Sequence, residues 1–159
     1  MSGIKLETQI EIELKHILIE LEYGRTNHFR HFIDQYFCYK QGYVTKNNKA
    51  SWSEIVGNEF TSAAARKVLD DPNRSNKELI DKEHVVPLKV LEEMLLKINN
   101  PTTKIIDDFL SQWLLFATIT KEEDNLLTKN GLKSAMPQGF NESDSKFSRY
   151  DFINLTVKK

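Results

Sequence analysis

The stretch that most restricts the fold runs from Phe29 to Phe37. Phe29, Phe32, Ile33, Tyr36 and Phe37 recur at the spacing of one continuous apolar face on an α-helix. A helix so apolar on one side must bury that side against other elements, so a packed helical core is expected in the first third of the chain. Gly42 ends the run, because glycine readily takes the left-handed conformation in which helices terminate. Upstream, Ile10, Leu14, Ile17, Leu18 and Leu21 repeat the helical spacing. Thr8-Gln-Ile-Glu11 has the form of a capping box there, and Gly24 stands as terminator.

The rest of the chain divides by the same signals. A third helical region is expected over Trp52, Ile55, Val56, Phe60, Ala63 and Ala64, with a break near Gly57 or a restart at Thr61 as the alternative to one continuous helix; the capping box Ser51-Trp-Ser-Glu54 opens it and Asp71-Pro72-Asn73 stops it. Glu78 to Val85 reads as the first strand. Pro87 suits the first turn of a helix carrying Leu88, Leu91, Met94, Leu95 and Ile98. Asn100 is the expected N-cap, and Pro101 the first residue, of a helix whose buried face is Ile105, Ile106, Phe109, Leu110 and Trp113. Leu114 to Ile119 reads as a buried strand leading into a third capping box, Thr120-Lys-Glu-Glu123, and a helix that ends near Gly131. Arg149 to Val157 is expected as a terminal strand with Ile153, Leu155 and Val157 on one side. The expected architecture is α+β and mostly α-helical: N-terminal helices followed by a small strand–helices–strand–helix (ββα-like) element. A single domain is expected over 1–159, with a helical region over 1–72 and the site element and tail over 73–159.

Composition removes several classes of function. Hydrophobic residues make up 40% and charged residues 28% of the 159, ordinary for a globular domain. No apolar run approaches the roughly 20 residues that span a bilayer, and the N-terminus lacks the basic-then-apolar form of a leader. Cys38, the single cysteine, excludes an internal disulfide and Cys-rich zinc sites; its expected state is a buried thiol. These features lead to the expectation of a cytoplasmic protein without membrane partners. The net charge of −1 means that any affinity for nucleic acid needs a local patch. Such an excess exists between Arg25 and Lys49, where Arg25, Arg30, Lys40, Lys46 and Lys49 face only Asp34. His28 and His31 stand in the same segment, and the aromatic face of Phe29 to Phe37 could stack on bases, although core packing explains it more simply.

Chemistry concentrates at two places. Glu83-His84 ends the first strand, and Glu122-Glu123-Asp124 opens the helix after the second. If the strands pair, Glu83 and the first turn of that helix could share a hard divalent cation such as Mg2+ or Mn2+. His84 could then take a proton from an attacking water. A structural reading competes at each position. Glu83-His84-x-x-Pro87 also suits a strand end and helix start, Glu123 is a capping residue, and acids in a first turn favour the helix dipole whatever the function.

Glu83-His84-Val-Val-Pro87 resembles the Asp/Glu-His-x-x-Pro signature of the HNH nucleases, the His-Me finger superfamily. The resemblance implies two strands and a helix, with Glu83 as metal ligand, His84 as general base and Asp124 in the place of the ligand on the helix. It implies hydrolysis of nucleic-acid phosphodiester bonds. For such a function DNA is expected over RNA, with Lys133 or Arg149 as candidate phosphate contacts and the basic segment from Arg25 to Lys49, with Arg25 and Arg30, holding the nucleic acid. The chain departs from the family's pattern in its long connection between the strands and in offering Asp124-Asn125 where Asn and His are usual. A wider pattern also resembles uncharacterised bacterial and phage proteins: Glu83 to Pro87, Ile119 to Asp124, Gly131 to Pro137 and Arg149-Tyr150. The competing expectation is a non-catalytic interaction or inhibitor protein that binds a partner protein or nucleic acid.

Overall fold

The computed structural model describes residues 3–159, save the side chains of Asn76 and Asp81. In chain order its elements are α1 (Leu6–Glu22), α2 (Phe29–Gln41), β1 (Phe60–Ser62), α3 (Ala63–Asp70), β2 (Leu79–His84), α4 (Leu88–Leu96), α5 (Thr103–Trp113), β3 (Phe116–Thr120), α6 (Lys121–Lys129), α7 (Ser148–Phe152) and β4 (Val157–Lys158). The fold is α+β and mostly helical, as the patterning indicates. Two compact units interleave along the chain. One holds the residues up to Glu54 together with Leu91–Leu114, the other Ile55–Val90 together with Leu115–Lys159. Among the described residues no helix is long and apolar enough to cross a membrane.

The first unit packs α1 against α2 and α5. Phe29, Ile33, Tyr36 and Phe37 are buried, so the aromatic face of α2 is core. Phe32 is half-buried and ringed by imidazoles, with the His16 ring 4.7 Å away. Gly42 closes α2 at φ +76, where its lack of a Cβ removes the steric penalty of the left-handed region. Cys38 is buried and forms no disulfide. The Tyr36 hydroxyl donates to Asp107 Oδ1 at 2.5 Å and Lys40 donates to the same oxygen at 2.8 Å, which ties α2 to α5. Burial, and then the Asp107 bond, push the Tyr36 phenol far above its ordinary range.

Two expected caps in this unit are displaced. α1 begins at Leu6 after Lys5, which makes no side-chain cap; Thr8 lies within the first turn because Leu6 and Glu7 already wind as helix. The cap of α5 is Thr102, whose hydroxyl accepts from the Ile105 amide at 3.2 Å. Asn100 instead takes φ +48 and turns the chain, a conformation that asparagine tolerates better than most residues.

The second unit is built on a four-stranded mixed sheet in the order β2-β3-β1-β4. β2 and β4 run antiparallel to their neighbours, whereas β1 and β3 are parallel. Val85, Ala117, Ile119, Leu127, Leu132 and Tyr150 form the core beside the sheet, with Phe60, Ile80, Phe147, Ile153, Leu155 and Val157 packed on it. The expected third helical region is in fact a short 3-10 turn at Trp52–Ile55, the strand β1 and the helix α3. A three-residue strand has too little local pattern to declare itself, and pairing with β3 and β4 decides it. Ser62 ends that strand and caps α3, accepting from the Ala65 amide at 3.0 Å. β3 starts later than expected, because Leu114 still donates to the Leu110 carbonyl as the C-cap of α5. The expected terminal strand is largely the helix α7, and only Val157–Lys158 pairs in the sheet. Winding Ser148–Phe152 as helix turns the adjacent Arg149 and Tyr150 both inward, which an extended strand could not do.

Candidate metal site at the end of β2

A β-bulge determines which side chains meet. β2 pairs with β3 through Ile80↔Ile119, Glu83↔Ala117 and His84↔Phe116. From Ile80 to Glu83 the first strand advances three positions while its partner moves two, so β2 carries one extra residue. Lys82, at φ +57, absorbs it in the left-handed conformation. In a regular ladder Glu83 would oppose Phe116. The extra residue puts it opposite Ala117, on the face of the sheet covered by Leu127, Leu132 and Tyr150. His84 is consequently turned to the opposite face, where its ring lies 4.6 Å from that of Phe116. His84 is buried, only 5% exposed.

The first turn of α6 supplies the facing acids. Thr120 and Glu123 form the expected capping box: the Thr120 hydroxyl accepts from the Glu123 amide at 3.2 Å, and Glu123 Oε2 accepts from the Thr120 amide at 2.8 Å. Glu123 Oε2 also accepts from the Ser62 hydroxyl at 2.7 Å, so this carboxylate serves two helix starts. Glu122 is exposed. Asp124 is the acid that turns inward; its Oδ2 receives Lys133 Nζ at 3.2 Å.

Glu83 lies within the field of Asp124. Burial pushes the Glu83 carboxyl above its ordinary value, Arg149 opposes that rise, and the negative charge of Asp124 adds to it. The Arg149 guanidinium is 1% exposed and fully engaged. Nη2 donates to Glu83 Oε1 and to the His84 carbonyl, Nε donates to the Val85 carbonyl at 2.8 Å, and Nη1 donates to the Leu132 carbonyl at 3.0 Å. The two β2-end carbonyls belong to an edge strand as it leaves the sheet, where backbone acceptors otherwise need water. One arginine therefore fixes the end of β2, the segment after α6 and α7 together.

Each carboxylate keeps one oxygen that no described residue bonds: Glu83 Oε2 and Asp124 Oδ1. The Tyr150 hydroxyl is buried without a hydrogen-bond partner among the described residues. Burial pushes its phenol far above the ordinary range, and the charges of Glu83 and then Asp124 contribute to the same rise. Among the described residues no group of three or more His, Cys, Asp or Glu side chains could hold a metal ion. A cation here would have two carboxylates and otherwise water or substrate oxygens. That set of hard oxygen donors suits Mg2+ or Mn2+, which commonly keep several waters.

The remaining sequence candidates are dispersed. Arg25 pairs with Glu20 at 2.5 Å and holds that carboxyl below its ordinary range, and Arg30 is exposed on α2; both lie in the first unit. Lys133 is spent on Asp124, and Arg149 is buried inside the site rather than presented to a ligand. Neither Tyr150 nor Ser62 stands out in the sequence as a site residue. The spacing of Phe147, Tyr150 and Ile153, three apart, is nevertheless a helical signal that points to α7 and with it to the inward turn of Tyr150. Comparison with family models, with curated proteins and with solved structures gives no match to this chain.

Proposed function

We propose that the chain is a metal-dependent nuclease of the HNH type, hydrolysing phosphodiester bonds of DNA with Mg2+ or Mn2+ held by Glu83 and Asp124. The observation that carries this reading is the bulge in β2, which turns Glu83 onto the face where Asp124 acts on it. The antiparallel pair β2–β3 followed by α6 has the two-strand-and-helix order that the Glu83-to-Pro87 signature implies. Arg149 would orient Glu83 through Oε1, and Lys133 would orient Asp124 through Oδ2, leaving the other oxygens for the cation. A cation bound there would supply charge stabilisation at a phosphate oxygen and at the leaving oxygen. His84, which the signature makes the base, stands on the other face of β2 against Phe116, so its service as base requires the end of β2 to turn.

The test is cleavage of plasmid and single-stranded DNA with Mg2+ or Mn2+. Glu83→Gln and Asp124→Asn should each abolish it, and His84→Ala assays the base separately. Intact DNA at all metal concentrations, with no cation bound, would overturn the reading.

A second reading has its own observation in support. Arg149 ties Glu83 to four backbone carbonyls when the longer contact to Lys133 at 3.5 Å is included, and His84 is packed in the interior. Glu83 and His84 of the signature then each have a structural task, as in a non-catalytic protein that binds a partner protein or nucleic acid. Retained folding with neither cation binding nor cleavage is its expected result.

A further inference from the structure

Two clefts flank α3 in the second unit, and cations line both. The first, of about 430 Å³, is bordered by the start of α3 and by β4. Arg66, Lys158 and Lys159 line it beside Thr61 and Thr156, with no acid on its wall among the described residues. The second, of about 360 Å³, is bordered by α3 and the start of α6. Lys67, Lys77 and Lys121 line it, against Glu78 and Glu122. Ala63 lines the first and Ala64, next in the chain, the second, so the clefts adjoin across the first turn of α3, where both side chains are small and exposed. Lys159 is paired with Glu59 at 3.2 Å, and Arg66 Nη2 donates to the neutral Gly57 carbonyl at 3.0 Å. Arg66, Lys67, Lys77, Lys121 and Lys158 are all exposed, and none makes an ion pair with a described residue. Five uncompensated cations thus stand against two lining carboxylates, in a chain whose net charge is −1. Like charges gathered without counter-charges repel one another, and a polyanion relieves that repulsion.

The kind of polyanion follows from what the walls lack. Val68 is the largest apolar residue lining either cleft, and no described aromatic lines them. A protein partner needs aromatic or large apolar anchors seated in pockets, and single-stranded nucleic acid needs aromatics on which its bases stack. Lysine, arginine and hydroxyl side chains together are the set that contacts sugar-phosphate backbone. We propose that the track of Arg66, Lys67, Lys77, Lys121 and Lys158 across α3 holds the phosphate backbone of double-stranded DNA without reading its sequence. Ser62 already caps α3, so the side-chain cations and not the helix terminus make the contacts. This inference rests on the nucleic-acid reading above but not on a cation at Glu83 or on cleavage. It moves the holding surface away from the segment Arg25 to Lys49, which lies in the other unit.

The experiment is fluorescence anisotropy of a labelled DNA duplex of arbitrary sequence with the whole chain, over a series of salt concentrations and with EDTA in place of divalent ions. The parent should bind, and its affinity should fall steeply as salt rises. Lys67→Gln and Lys158→Gln, one from each cleft, should each reduce the slope of log affinity against log salt by about 1, and the double variant by about 2. Both lysines are exposed, so the fold should be kept, which thermal melts check. Arg30→Gln, on α2 in the first unit, should leave the slope unchanged. An unchanged slope in the double variant, or one reduced by Arg30→Gln instead, would overturn the track while leaving the nuclease reading to its own cleavage assay. A parent that binds no duplex even at low salt would also overturn it, and cleavage of plasmid DNA by that same protein with Mg2+ would keep the nuclease reading standing. Displacement of the duplex by polyglutamate as readily as by unlabelled duplex would assign the track to acidic proteins instead.

Discussion

Replacing Arg149 by alanine probes the organisation of the site most directly. Its guanidinium is 1% exposed, pairs with Glu83 and donates to carbonyls of His84, Val85, Leu132 and Lys133. Removing it leaves a largely buried carboxylate without its counter-charge and edge-strand carbonyls without donors. Breaking a buried pair in this way costs about 3–5 kcal/mol. For a chain of this size that corresponds to a fall in Tm of roughly 10 °C. The pH dependence carries a second signature. Burial already raises the Glu83 carboxyl above 4.5, and loss of Arg149 removes the main influence that lowers it. A carboxyl whose folded value lies above its unfolded value binds more protons when folded, so it costs stability above the folded value and nothing below the unfolded one. The deficit of Arg149→Ala should therefore be full at pH 7.5 and shrink as the pH falls through the raised folded value toward 4.5. Urea melts followed by circular dichroism at several pH values measure both. A deficit under about 1 kcal/mol at pH 7.5, the size of an ordinary surface change, would refute the claim that Arg149 holds this corner together.

Other outcomes follow from particular contacts. Thr120→Ala removes one half of the capping box of α6 and should lower stability by about 1 kcal/mol in the same melts, with Thr120→Ser largely restoring it. Lys82→Gly should leave stability within about 0.5 kcal/mol, because relief of the left-handed backbone offsets the entropy of glycine. Lys82→Val should cost roughly 1–2 kcal/mol, because a β-branched residue strains at φ +57; equal stability of the two variants would argue against a bulge centred there.

Much of the fold is legible in the sequence, and the reason is local. The helical spacing of Phe29 to Phe37, the stop at Gly42 and the Thr120–Glu123 box involve residues within a few positions of one another, so short-range physics fixes them. Glu83 and Asp124 are likewise identifiable from their places at a strand end and a helix start. What tertiary structure alone decided is which side chains face which. An extra residue near Lys82 reverses the alternation of β2, carrying Glu83 toward Asp124 and His84 away from both. That reversal is invisible in the sequence, because a side-chain period of two is inverted by any single insertion and only the pairing with β3 reveals it. Arg149 shows the same division. Its charge suggests a surface contact, but the winding of α7 and the unpaired carbonyls at the end of an edge strand draw it inside. Composition and periodicity thus determined the elements and most of their ends, while long-range pairing determined the short strand β1, the burial of Arg149 and Tyr150, and the face on which each acid of the candidate site stands.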